Sequence, residues 1–288
     1  MSTQITTTES SNFEKVLRSA LELPGIRINR GAFLRKELSK FFDDDVVEKA
    51  IETNPAQAEI STKILGQIAK SCINYETAKA TGISAVAGIP GGLTMVATIP
   101  ADIAQFFGHI IRVLQKLAYL YGWQEIFNGD DDSLDDATSN QLTLFIGVMF
   151  GVSAANAAIA KIAKSIAIQA EKTLVRQALT KGTIYPIVKK IAQSIGVKMT
   201  KQIFAKGVGK IIPVVGAVVS GGVTFATFKP MSKRLQNYLS TLPTASVEHY
   251  KKQHNSFDDI IDVDFSDIIV EDEATDNIEK TEKGDESP

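Results

Sequence analysis

The sequence predicts an all-α protein, a multi-helix bundle with glycine- and proline-rich apolar helical hairpins, a disordered N-terminal leader and an acidic C-terminal tail. Three observations carry this. In segment after segment, apolar residues return every third or fourth position, the spacing that puts them on one helix face. Two long runs, 141–160 and 211–228, contain no charged residue and carry glycines and, in the second, a proline. Charge is segregated: Lys161 to Lys210 holds eleven basic residues and one acid, whereas Glu248 to the end holds fourteen acids and four lysines. The net charge of −2 therefore conceals two strongly opposed surfaces.

The elements follow in order. Residues 1–11 are polar, rich in Ser and Thr and without apolar period, so they read as the disordered leader. A helical domain is expected over 12–240. Its first helix, from Phe13 to Leu23, buries Phe13, Val16, Leu17, Ala20 and Leu21 and stops at Pro24-Gly25. A second helix is expected from Gly31 to Phe42. Asp43 to Asp45 supply the cap and first-turn acids of a short third helix through Ile51. After Asn54-Pro55 a longer helix, Ala56 to Ala80, is expected to lead into the stretch Thr81 to Trp123.

That stretch starts as an uncharged, glycine-rich run with two Ile-Pro steps and becomes a long helix. Asp102, Gln105, His109, Arg112 and Lys116 recur on it at spacings of three and four and make one polar stripe, with bulky apolar residues opposite. Asp102 and His109 are the candidate catalytic pair. Two helical turns separate their Cα atoms by about 10 Å, so chemistry there needs a group from another element. The competing reading makes Asp102 a first-turn acid and the stripe a wet face or a polar seam.

The acidic loop 128–136 lacks the central Gly and terminal Glu of a calcium-binding loop and reads as a solvated loop with helix-starting acids. Residues 141–160 are long enough to cross a bilayer as one helix, but they are weakly hydrophobic and equally suit a buried helix. Residues 211–228 read as a kinked or broken helical hairpin, with a last helix from Met231 to Leu239. Between the two runs lie amphipathic basic helices carrying Lys161, Lys164, Lys172, Arg176, Lys189, Lys190, Lys198, Lys201, Lys206 and Lys210. Such faces suit an anionic membrane surface or a membrane-protein partner, and equally the solvated outside of a bundle. Nucleic acid is disfavoured because no aromatic residues interleave for stacking. In the tail, 241–288, acids alternate with apolar residues, a pattern suited to docking on this chain's own basic helices.

No familiar chemistry emerges. Three histidines and the single cysteine, Cys72, do not make a common zinc site. The GIPGG run lacks the Lys-Ser/Thr pair of a phosphate loop. No cofactor or metal is expected, and the oligomeric state is left open. No charged-then-apolar leader is visible, so a cytoplasmic location, peripheral on the membrane, is expected, with integral insertion through 141–160 and 211–228 as the alternative.

The strings GIPGG, IPADIAQ, QKLAYLYG and IPVVGA, with the basic helices between them, resemble the bacterial EcsC family over roughly residues 12 to 240. The resemblance implies a mainly helical domain, a gene neighbourhood with an ABC transporter linked to protein secretion, membrane association, and no established catalytic residues. The acidic tail lies outside it. The leading expectation is thus a non-enzymatic, membrane-associated protein accessory to a secretion, envelope or membrane-stress system. A membrane-surface hydrolase using Asp102 and His109, or a membrane-permeabilising effector, is the alternative.

Overall fold

Local chemistry accounts for where the chain starts and stops its helices. A computed structural model describes residues 13–87, 101–127, 134–168, 172–180, 182–207, 213–253, 265, 266 and 268, and every regular element among them is helical. Helix α1 occupies residues 13–21 and ends at the Pro24-Gly25 turn. Helix α2 (Arg30–Leu38) is capped by Asn29, whose side chain accepts from the Ala32 N–H at 2.8 Å. Helix α3 (Asp44–Glu52) opens on Asp43 with Asp44 and Asp45 in its first turn.

Helix α4 (Thr62–Ala87) begins six residues later than expected. The cause is Asn54, whose side-chain oxygen accepts from the N–H groups of Ala56 and Gln57 at 2.9 and 3.0 Å and holds 54–60 as a turn. Helix α5 (Ala101–Leu120) starts immediately after Pro100, as proposed from the second Ile-Pro step. The leader 1–11, the glycine-rich run 88–100 and the acidic residues 128–133 lie outside the described residues.

The uncharged run 141–160 is two helices, not one. Helix α6 (Asp136–Phe150) ends at Gly151, which adopts φ 75° and returns its N–H to the Gly147 and Val148 carbonyls. This left-handed cap is open to glycine without strain. Helix α7 (Ser153–Ala167) then restarts, so the membrane span through 141–160 is corrected. Every residue from Gln141 to Phe150 is buried in the protein's own core. Among the described residues, no helix is long and apolar enough to cross a membrane.

Helix α8 (Lys172–Thr180) and helix α9 (Tyr185–Gly207) follow. Helix α10 (Pro213–Leu239) corrects a second expectation, because it runs unbroken where a hairpin and a separate last helix were foreseen. Pro213 stands at its first position, where the missing N–H costs nothing. Pro230 sits inside the helix and forfeits one intrahelical bond. Among the described residues the most extensive helix packing is that of α10 along α4, which supports the helix through this position. Regular structure also continues past residue 240, through a 3-10 turn (Pro243–Ala245) and helix α11 (Val247–Gln253).

Helix α5 is the central strut. From Val113 to Trp123 every residue is buried. Aromatic side chains knit α5 to its neighbours: Phe107 meets Phe13 of α1 at 6.1 Å and stacks on Phe150 of α6 at 6.3 Å, and Phe106 meets Phe228 of α10 at 6.0 Å. Just beyond α5, Trp123 packs edge-on against Phe145 at 4.8 Å.

Candidate functional site

Helix α4 contains one acid where its apolar stripe should continue. Ala69, Cys72, Ile73 and Ala80 are buried at helical spacing, and Glu76 falls among them at 0 % exposure. An isolated carboxylate there would be very costly. The polar stripe of α5 supplies its partners. Lys116 Nζ lies 2.5 Å from Glu76 Oε1, Arg112 Nε lies 3.3 Å from the same oxygen, and His109 Nδ1 lies 2.8 Å from Oε2. Burial pushes the Glu76 carboxyl up. Hydrogen bonds from His109 and Lys116, with the charges of Lys116 and Arg112, more than reverse this and hold its pKa at about 2.

The seam reaches further than one ion cluster. Arg112 also donates to the Gly25 carbonyl. One turn on, the buried Gln115 accepts from the Ile28 N–H at 2.9 Å and donates to the Ile26 carbonyl at 2.8 Å. The α1–α2 turn is thereby fastened to α5. Lys116 and Lys79 also stand over the half-exposed Tyr75 ring, at 5.1 and 4.8 Å from its centroid.

Of the predicted stripe, His109, Arg112 and Lys116 are brought together on Glu76. Gln105 is half-buried on the same helix. Asp102 lies on α5, and its side chain is outside the described residues. Because an ionised carboxylate only accepts, His109 carries a proton on Nδ1 where it meets Glu76. The one thiol near the cluster is not activated: Cys72 is buried, and burial pushes it up to about 11. A carboxylate held at about 2 by three donors is a fixed counter-charge, not a proton shuttle.

A second polar knot escaped sequence reasoning altogether. The buried Arg30 donates to the carbonyls of Trp123 (3.0 Å), Ile51 (2.7 Å), Ala50 (3.3 Å) and Thr53 (3.0 Å), closing the C-terminus of α3. Its backbone N–H donates to Glu125, which also accepts from the Tyr119 hydroxyl at 2.7 Å. Glu76 carried a sequence signal, an acid inside an apolar stripe. Arg30 carried none, since an arginine at a helix start is commonplace.

The basic helices form the other candidate surface. Their apolar faces are spent on the core: Ile162, Ala163 and Ile166 on α7, Val175, Ala178 and Leu179 on α8, and Ile187, Ile191 and Ile195 on α9 are buried. Lys164, Lys189 and Lys190 are exposed and Lys161 is half-buried. Arg176 pairs with Asp135, which also caps α6 by accepting from the Thr138 N–H at 2.8 Å. Side chains of Lys172, Lys198, Lys201 and Lys206 are outside the described residues, as is Lys210 altogether. Two large apolar side chains on these helices are nevertheless exposed: Leu174 of α8 at 49 % and Tyr185, opening α9, at 64 %.

Among the described residues, no group of His, Cys, Asp and Glu is arranged to hold a metal. Comparison with protein-family models, with curated proteins and with solved structures found no match.

Proposed function

We propose that this chain is a membrane-associated helical protein that docks peripherally on an anionic membrane surface through α7, α8 and α9. In keeping with its resemblance to the EcsC family, it serves there as an accessory to a secretion, envelope or membrane-stress system. The observation that carries the reading is that Leu174, Tyr185, Lys164, Lys189 and Lys190 are all exposed, on helices whose apolar faces already belong to the core. Lysines near anionic headgroups each contribute about 1 kcal/mol of attraction. An exposed leucine and a tyrosine add shallow apolar contact at the headgroup level without unfolding the bundle.

The test is co-sedimentation of the full chain with phosphatidylglycerol vesicles and with phosphatidylcholine vesicles. Binding to the first alone, weakened by high salt and lost in the Lys164→Glu, Lys189→Glu, Lys190→Glu variant, is the expected result. Equal recovery on both vesicles, or none by the chain and its tail-neutralised variant described below, would refute the proposal.

A further inference from the structure

The chain after α10 is led back to the basic helices. Tyr250 of α11 packs with Ala167, the last residue of α7, and with Ala56, and its hydroxyl accepts from the Asn54 side-chain amide at 3.0 Å. The 3-10 turn preceding α11 also packs on α7. The polypeptide is therefore released beside the C-terminal end of a basic helix. Twelve residues after α11 ends, a second anchor appears: Phe265 is 1 % exposed inside the main hydrophobic core, with Ile268 packed against the same core. The Ile268 N–H donates to the Phe265 carbonyl at 3.1 Å, a turn that seats both side chains.

The chain is thus held to the body just before residue 254 and again at Phe265. The sequence of 254–264 holds Asp258, Asp259, Asp262 and Asp264 with no lysine or arginine, and Phe257, Ile260, Ile261 and Val263 alternate with the acids. This complements in charge and apolarity the exposed Lys164, Lys189, Lys190, Leu174 and Tyr185 of α7, α8 and α9. A stretch of this length reaches at most about 40 Å, and tethering at both ends gives it an effective concentration on the order of millimolar at any site within that reach.

We infer that residues Asp258 to Asp264 of this same chain are an intramolecular occupant of the α7–α9 face and compete there with the anionic surface. The regulatory consequence rests on the docking reading; the contact itself does not. Membrane binding then requires the acidic segment to leave, and neutralising its carboxylates favours the membrane-bound form.

Two measurements on the full chain test this. Zero-length carbodiimide cross-linking, read by mass spectrometry, should join Asp258, Asp259, Asp262 or Asp264 to Lys164, Lys189 or Lys190. In parallel, the Asp258→Asn, Asp259→Asn, Asp262→Asn, Asp264→Asn variant, which retains Phe265 and Ile268, should bind phosphatidylglycerol vesicles at least about tenfold more tightly than the natural chain. Cross-links of these aspartates only to lysines elsewhere, or none at all, would overturn the inference, as would equal vesicle affinity of the two proteins. Cross-links at the stated lysines with no vesicle binding by either protein would uphold the intramolecular contact and remove the docking reading instead.

Discussion

Glu76 is a buried carboxylate with three donors on two oxygens, and its energetics are those of a buried network. Removing the acid leaves His109, Arg112 and Lys116 facing one another without a counter-charge, and changes of this kind cost about 3 to 5 kcal/mol. Its pH dependence has a definite sign. The carboxyl titrates at about 2 in the fold against an ordinary 4.5. The stability it contributes is therefore complete above pH 4.5 and is lost as pH falls toward 2, in all about 3 kcal/mol. Urea unfolding of the natural chain and of Glu76→Gln at a series of acidic pH values measures this: the variant should be less stable by about 3 kcal/mol near neutrality, and the gap should close across that window. A gap independent of pH would show that the seam is held by shape and not by charge. The stripe on α5 was legible from spacing alone, but its partner was not, because Glu76 lies 33 to 40 residues away in sequence from the groups it binds.

Helices were the most legible feature, because caps, breakers and apolar period act within a few residues of one another. Asp135 as a cap, Pro24-Gly25 as a stop and Pro100 as the boundary before α5 were all readable this way. Where breakers misled, tertiary packing had outweighed propensity, as at Pro230 within α10, or a glycine acted as a cap where a continuous helix was in question, as at Gly151. Two glycines show how differently one residue type acts within an element and just past its end. Gly82 is exposed within α4 and nothing lies within 4 Å of a Cβ placed there, so Gly82→Ala should raise stability by about 0.5 to 1 kcal/mol. Gly122, just after α5, has φ 89°, and a Cβ would stand 2.3 Å from the Thr244 carbonyl oxygen. Gly122→Ala should cost on the order of 3 kcal/mol. Thermal unfolding of the two variants should move in opposite directions, and a neutral Gly122→Ala would mean that the packing of the 3-10 turn against α5 yields easily.

For the whole molecule, the decisive observation is that the described residues beyond α10 are bound into the body. Tyr250 closes on Asn54 and Ala167, Ala245 is buried in the core, and so is Phe265. A chain ending at residue 240 should therefore be markedly less stable, with the loss of Phe265 alone contributing about 3 to 5 kcal/mol. Denaturant midpoints of this truncation and of Phe265→Ala measure it, and unchanged midpoints would show that the C-terminal segment adds nothing to the fold. The sequence by itself determined the helical class, the approximate limits of α1, α2, α3 and α5, the polar stripe of α5 and the opposition of basic and acidic segments, since each depends on neighbours along the chain. Only the tertiary structure decided what covers each face. It set the stripe against a buried acid on α4, divided an apparent span at Gly151 and buried it in the core, and drew a phenylalanine from an acidic tail into the interior. Periodicity specifies that a face is apolar or polar, but not which distant segment will meet it, and burial is a property of the meeting.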